Sequence, residues 1–352
     1  MINIEIENNR LSEFSQDQDK SECWSRYVAP GNFTLAFEYL HLYQSENDAT
    51  FFYTGRTKTE IVFVCLISLI TVKVYGIPIT IVMFGGPKTN GKAFWYDEDR
   101  LSYHSFVTKL LYLLKKQYKF QFIVLREFYG TGDRSQIIES EKMGFIVHHA
   151  MIKSYLDISL FNSFDSYFNS LPSKKRNYFR SVIKCNQDPD INIDIVDLTA
   201  DLVDEIYPLY FETNARAKEN QTAAVGRSVF IALSESSIKA KVITYRLKNK
   251  VIAFGLMFFN FHEVKCLFTG FDYKFTKEYN LWYQIMLGSI RFAVERRCQY
   301  IDLGSSSASM KSKFMAAHEN VYISVLFKTP ILTKVFKRPI VFLLNKFLKP
   351  AQ

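Results

Sequence analysis

Leu281-Trp282-Tyr283-Gln284-Ile285-Met286-Leu287 opens a run to position 297 whose apolar residues recur at helical spacing. Tyr300-Ile301-Asp302-Leu303-Gly304 follows almost at once as a short strand ending on glycine. Ahead of this pair, 240–247, 251–260 and 264–271 read as a three-strand meander, its first turn at Lys248-Asn249-Lys250. Behind it, 309–317 reads as a helix and 321–327 as a last strand. The same order of helix, strand, helix, strand recurs in the first half at 103–118, 121–125, 134–143 and 145–148, after strand-like runs at 51–54, 61–75 and 79–84. The repeat lies in element order alone and points to a duplicated α/β (α+β) unit with a mixed sheet in each half.

Composition narrows the class. Of 352 residues, 48% are hydrophobic and 22% charged, which excludes wholesale disorder; only 14 Gly and 9 Pro exclude collagen-like and low-complexity designs. Cys23, Cys65, Cys185, Cys266 and Cys298 show no metal-ligand spacing, so no metal is expected, and reduced thiols in the cytoplasm are the simplest reading. The first thirty residues carry six acids and no apolar core stretch, so no secretory leader is expected and 8–22 reads as a loose polar lead. The most hydrophobic run, 61–84, is interrupted by Lys73 and broken by Gly76-Ile77-Pro78, which favours two buried strands over a membrane span.

Charge divides unevenly. Residues 1–150 hold 16 basic and 17 acidic side chains, whereas 151–352 hold 28 and 18. The excess of the second half implies an anionic partner such as a phosphate-bearing substrate, tRNA or acidic lipid. Lys174, Lys175, Arg176, Arg180 and Lys184 stand close together without an acid, and Arg176, Arg180 and Lys184 would share one helical face. That face either holds phosphates or is merely solvated. Arg216 either reads a second phosphate or carboxylate or pairs with Glu212 four residues earlier. Trp282, Tyr283 and Gln284 at a helix start either line a channel or belong to the core. Asp302 at its strand end could orient an amine or act as a base, or it could cap the following turn. Lys311, approached through Gly304-Ser305-Ser306-Ser307, could meet a carbonyl oxygen or a phosphate, or be a solvated helix lysine.

Three stretches together resemble a known family: 164–180, with a short helix, Pro172-Ser173 and the basic run; Gly270-Phe271-Asp272 leading to Leu281-Trp282-Tyr283-Gln284; and Tyr300-Ile301-Asp302-Leu303-Gly304 followed by Lys311 and Phe314. They resemble the FemAB-like tandem GNAT-fold acyltransferases over about 160–328, and over 30–157 through element order only. The resemblance implies two GNAT-like domains, at 1–158 and 159–328, with a basic amphipathic segment at 329–352 beyond them. It implies an N-acyltransferase moving an acyl or aminoacyl group to an amine of a cell-envelope or nucleotide-sugar-type acceptor. Lys311 and Asp302 would be catalytic, and Lys175, Arg176, Arg180, Arg216, Trp282, Tyr283, Gln284, Gly304 and Phe314 would touch substrate. The donor would be acyl-CoA or aminoacyl-tRNA. One departure bears on that choice: the loop 272–280 has no glycine, where CoA users of this fold hold the pyrophosphate on a Gly-rich turn.

Two rival readings remain: a non-catalytic basic protein that binds nucleic acid, and a peripheral membrane protein. The second rests on 329–350, where Val335, Phe336, Ile340, Phe342 and Leu344 alternate with Lys334, Lys337, Arg338 and Lys346, with no acid. A helix packed on the domain is the alternative for that segment.

Overall fold

The structure is a computed structural model and describes residues 4–29, 33–36, 39–40, 50–74, 76–86, 89–217 and 224–347. The expected helix at 35–43 lies largely outside them. The chain forms two compact units, Met1–Ala150 with Asn320–Lys349, and Met151–Glu319 with Pro350–Gln352.

In the first unit, β1 (Glu5–Asn9), β2 (Thr50–Arg56), β3 (Ile61–Val74) and β4 (Ile77–Phe84) pair antiparallel in that order, and β5 (Phe94–Tyr96) pairs with β3. The 61–84 run is thus a strand pair, with Gly76 at φ +81° where the chain turns. β4 then pairs parallel with β6 (Phe122–Tyr129), beyond the crossover helix α3 (Tyr103–Gln117). Side chains alternate across this sheet. Phe63 and Ile67 face α3, where Phe106, Leu110 and Leu114 stand at helical spacing, whereas Phe52, Val64 and Leu66 face the opposite side. Each fully buried side chain of this kind contributes roughly 1.5–3 kcal/mol.

The opposite side is covered by α1 (Leu11–Gln16) and α2 (Gln18–Tyr27), so the expected loose lead is ordered structure. Phe14 and Trp24 are fully buried among its polar residues, Phe14 stacking on Phe52 at 4.3 Å. Lys20 anchors the pair through Glu7 at 2.7 Å and Asp17 at 3.2 Å.

In the second unit the order is α4 (Phe164–Ser170), α5 (Ser173–Lys184), β7 (Ile191–Asp197), α6 (Ala200–Arg216), α7 (Arg227–Glu235), β8 (Ala240–Leu247), β9 (Lys250–Phe259), β10 (Glu263–Phe271), α8 (Leu281–Glu295) and β11 (Tyr300–Gly304). α6 runs through Pro208 without ending there. Strands β7 to β10 form an antiparallel series, and β10 pairs parallel with β11. α8 crosses close over β9 because Gly255 has no side chain: a Cβ there would lie 2.5 Å from Ile285 Cγ2.

Each unit takes in a strand distant in sequence. After α9 (Arg134–Lys142), the strand Ile146–Asp157 begins in the first unit, but its residues 154–157 pair antiparallel with β11 in the second. The strand Ala317–Phe327, expected to close the second domain, pairs antiparallel with β6 of the first unit over Val321–Phe327. The units therefore differ from the 1–158 and 159–328 division, because hydrogen bonding rather than chain order assigns the last strand. α10 (Pro330–Val335) and α11 (Lys337–Phe347) group with the first unit. No helix among the described residues is long and apolar enough to cross a membrane.

Candidate active site

β10 and β11 pair at only three positions, Glu263 with Tyr300, Val264 with Ile301 and Lys265 with Asp302, and then part. Two local features open them. β10 carries an extra residue at Leu267, between Cys266 opposite Met257 and Phe268 opposite Leu256. β11 shifts register against its other neighbour between Asp302 and Gly304, and Gly304 has φ +81°.

Lys311 reaches this opening. It sits in a short helical turn, Ala308–Lys311, that continues as a 3-10 turn through Phe314 and is bracketed by Ser307 and Met315 at positive φ. The expected 309–317 helix is this much shorter turn, and the chain is already extended at Ala317. Lys311 is 2% exposed, so the solvated-lysine reading is excluded. A Cβ on Gly304 would stand 3.8 Å from Lys311 Nζ and 3.9 Å from the Cys266 carbonyl oxygen. The missing side chain therefore leaves space beside the ammonium at the point where the strands part.

Asp302 lies where the opening begins, 6% exposed. Its Oδ1 accepts the Gly304 N–H at 2.8 Å, and its Oδ2 is 3.2 Å from Lys153 Nζ and 3.7 Å from Lys265 Nζ. Burial would raise its pKa, but Lys153, Lys265 and the Gly304 N–H outweigh burial and hold it below the usual carboxylate range. A carboxylate so engaged is a poor base, and its visible work is to hold two lysines. Glu263 is pushed up to about 6 by burial, which the Lys265 charge only partly offsets. Its Oε1 is buried without a hydrogen-bond partner among the described residues. Burial pushes the Cys266 thiol up to about 12, which leaves no thiolate to act as a nucleophile.

His318 was not among the expected site residues. Its Nδ1 is 3.0 Å from Ser154 Oγ and its Nε2 is 2.6 Å from Ser312 Oγ, next to Lys311 in sequence. Partial burial and then the Lys311 charge lower its pKa, so the ring is neutral at physiological pH. Among the described residues no group of His, Cys, Asp and Glu could hold a metal.

Among its basic residues, α5 brings Lys175 to this site. Lys175 Nζ donates to the Ser312 carbonyl at 2.7 Å, tying α5 to the turn that carries Lys311. Arg176 Nη1 donates to the carbonyls of Asn169 and Leu171, at 2.8 and 3.0 Å, and so caps the end of α4. Arg180 is exposed and donates to Asn177 Oδ1 at 3.1 Å.

Gln284 and Phe314 are also structural. Gln284 fastens α8 to α5 by donating to the Val182 carbonyl at 2.7 Å and accepting from Asn186. Phe314 is fully buried and stacks on Phe179 at 4.7 Å. Tyr283 is buried, its hydroxyl accepting from Lys313 Nζ at 2.7 Å, with Trp282 edge-on beside it. Lys313 lies over the Tyr178 and Tyr283 rings at 4.3 and 4.8 Å, so Lys175, Tyr178, Trp282 and Lys313 make a basic and aromatic surface next to the Lys311 turn. Arg216 pairs with Glu212 at 2.7 Å and stacks on Tyr273, lining a cleft of about 500 Å³ that Lys311 does not line.

The start of α8 is engaged within the chain. Its Leu281 N–H is already given to the Thr276 carbonyl. Residues 185–188 fasten onto the preceding loop, Cys185 Sγ donating to the Glu278 carbonyl and the Tyr279 hydroxyl to Asp188. The first unit has a corresponding opening, since β4 and β6 pair only over 81–83 and 122–124. Its own chain fills it: Arg126 donates to the Gly86 and Thr89 carbonyls and pairs with Glu127, whose other oxygen accepts the Gly91 N–H at 2.8 Å. Residues 87 and 88 lie outside the described residues.

Residues 173–312 match the acetyltransferase (GNAT) domain family. No curated protein sequence matches the chain. Among solved structures, FemX aligns at TM-score 0.61 and 10% identity, over 91% of this chain and 96% of that one. A tandem GNAT protein from the clavulanic acid biosynthesis pathway aligns at 0.59 and 8%, over 93% and 99%. A lysylphosphatidylglycerol synthetase C-terminal domain, so assigned, from Agrobacterium fabrum aligns at 0.51 and 12%, over 82% and 88%. Residues 173–312 therefore match a GNAT acetyltransferase domain, and the chain has the tandem GNAT fold.

Proposed function

We propose that the chain transfers an aminoacyl group from the 3′ end of a tRNA to an amine, with the reaction centred between β10 and β11. The observation that carries this is the Lys311 ammonium, buried at the gap left by Gly304. The amine nitrogen attacks the ester carbonyl carbon, and the carbonyl oxygen gains the charge that Lys311 stabilises. The attacking nitrogen gives its proton to neutral His318, which Ser154 and Ser312 hold. The ester C–O bond then breaks, and the leaving oxygen takes a proton back, from His318 or water. Asp302 with Lys153 and Lys265 keeps the nearby field positive and does not itself move a proton.

The donor reading rests on the occupied start of α8 together with the surface of Lys175, Tyr178, Trp282 and Lys313, where phosphates meet cations and bases meet rings. The filled opening of the first unit supports chemistry in the second unit alone. The acceptor is an amine on an anionic cell-envelope precursor or nucleotide-activated sugar, in keeping with the basic second half.

The test compares charged tRNA, acetyl-CoA and longer acyl-CoAs, first as ligands by thermal shift and then as donors to a panel of amines. A charged tRNA should raise the melting temperature and be deacylated by acceptor. Lys311→Ala should slow turnover on the order of 10²–10³-fold, with Lys311→Arg rescuing in part. Since Lys311 is buried, each variant is first checked for cooperative unfolding. Full turnover in folded Lys311→Ala removes the catalytic assignment, whereas turnover with acyl-CoA alone overturns the donor reading.

A further inference from the structure

α10 and α11 form one helical path: the Phe336 N–H donates to the Leu332 carbonyl at 2.8 Å and the Ile340 N–H to the Phe336 carbonyl at 3.0 Å across their junction. At about 100° per residue, Thr333 and Ile340 fall on one side, and Ile331, Val335, Arg338 and Phe342 on the other. The structure sorts them accordingly. Thr333 and Ile340 are 2% and 8% exposed, and Thr333 Oγ1 accepts the Phe327 N–H at 3.0 Å. Ile331, Val335 and Phe342 are 70%, 67% and 68% exposed. An apolar stripe held outward by an anchored opposite face calls for a partner.

We propose that this stripe docks the protein on the surface of an anionic lipid bilayer. The charge pattern selects that occupant. From Lys328 to Lys349 the sequence has six basic residues and no acid. Arg338 lies within the apolar stripe and Lys334 beside it, so the helix can sink Ile331, Val335 and Phe342 among acyl chains while the cations rise to lipid phosphates. A second copy of the chain would set Arg338 and Lys334 against their own kind. A nucleic acid would meet the aliphatic Ile331 and Val335, with Phe342 as the one ring of the stripe. The inference is independent of the acyl-transfer reading, because binding is read without substrate.

The test is co-sedimentation of the full chain with vesicles of phosphatidylcholine alone or mixed with phosphatidylglycerol. Binding should be strong to the mixed vesicles, weak to the neutral ones, and weakened by salt. Lys334→Gln, Lys337→Gln and Arg338→Gln together should cost roughly a hundredfold in affinity, at about fivefold per charge. Val335→Asp with Phe342→Asp should abolish binding, and both side chains are exposed enough for the fold to stand, as a thermal melt would confirm. Equal binding to both vesicle types, or binding untouched by the Asp pair, overturns the proposal. So does a dimer that the Asp pair dissociates, or an RNA homopolymer that binds through the same residues in preference to the vesicles.

Discussion

Glu263→Gln should make the second unit more stable at neutral pH and leave it almost unchanged in acid. Glu263 starts β10 one turn of the pleat from Lys265, with Oε1 buried and lacking a hydrogen-bond partner among the described residues. Burial moves its pKa from 4.5 to about 6. A carboxyl whose folded pKa is raised binds more protons folded than unfolded between those values, so this group's contribution to stability falls as pH rises through that window. At about 1.4 kcal/mol per pH unit, the folded state bears roughly 2 kcal/mol above pH 6 and nothing below pH 4.5. Glutamine fills the same space without ionising and removes that cost. Asp302 does not confuse the reading, because its pKa lies below the window, and His318 titrates alike in both proteins and cancels in the difference. Urea unfolding at a series of pH values, followed through Trp282 of this unit, gives the difference directly. A gap between variant and parent that is the same at pH 4.5 and at neutral pH would show that Glu263 is solvated and that the packing around β10 is misjudged.

Arg176→Ala should lower stability by about 1–3 kcal/mol, since it strips the end of α4 of two hydrogen bonds, while leaving tRNA affinity within about twofold; chemical unfolding and filter binding check the two halves separately. His318→Gln should reduce kcat and flatten the acidic limb of the pH–rate profile, which in the parent falls away below the ordinary imidazole range; a limb that persists assigns the proton transfer elsewhere. Gly255→Val should destabilise by at least about 1–3 kcal/mol, because its Cβ alone would overlap Ile285, and a neutral result in a thermal melt would mean that α8 does not cross β9 where described.

The order of helices and strands was legible because it is written in local periodicity. The run at 281–297 and the strand at 300–304 stand where the apolar spacing puts them. Elements with little apolar content were not: α1 and α2 hide Phe14 and Trp24 in a polar stretch, and α7 lay unread between 219 and 239. Strand partnership was also out of reach. The pattern at 321–327 says strand, but either unit could have offered an edge, and only the register with β6 decides. Side-chain partners were out of reach for a related reason. Arg176 looks like a phosphate ligand until the Asn169 and Leu171 carbonyls are seen beside it. His318 looks idle until Ser154, 164 residues earlier, comes to meet it.

The two openings show why element order cannot by itself assign chemistry. In both units a strand pair joins in parallel for three residues and parts, after β4 and β6 in one and β10 and β11 in the other. Duplication predicts this much. What stands in the gap depends on single side chains. In the first unit Arg126, planar and able to donate to two carbonyls at once, ties Gly86 and Thr89 into the space and neutralises itself on Glu127. In the second unit Gly304 supplies no side chain, and the ammonium of Lys311 comes up beside the space thus left. A guanidinium spent on backbone carbonyls has little left for a developing oxyanion, whereas the compact ammonium of Lys311 stands beside a glycine. Replacing Arg126 would therefore loosen the first unit's loop without creating a second reaction centre, because no lysine of that unit takes the place that Lys311 holds among the described residues.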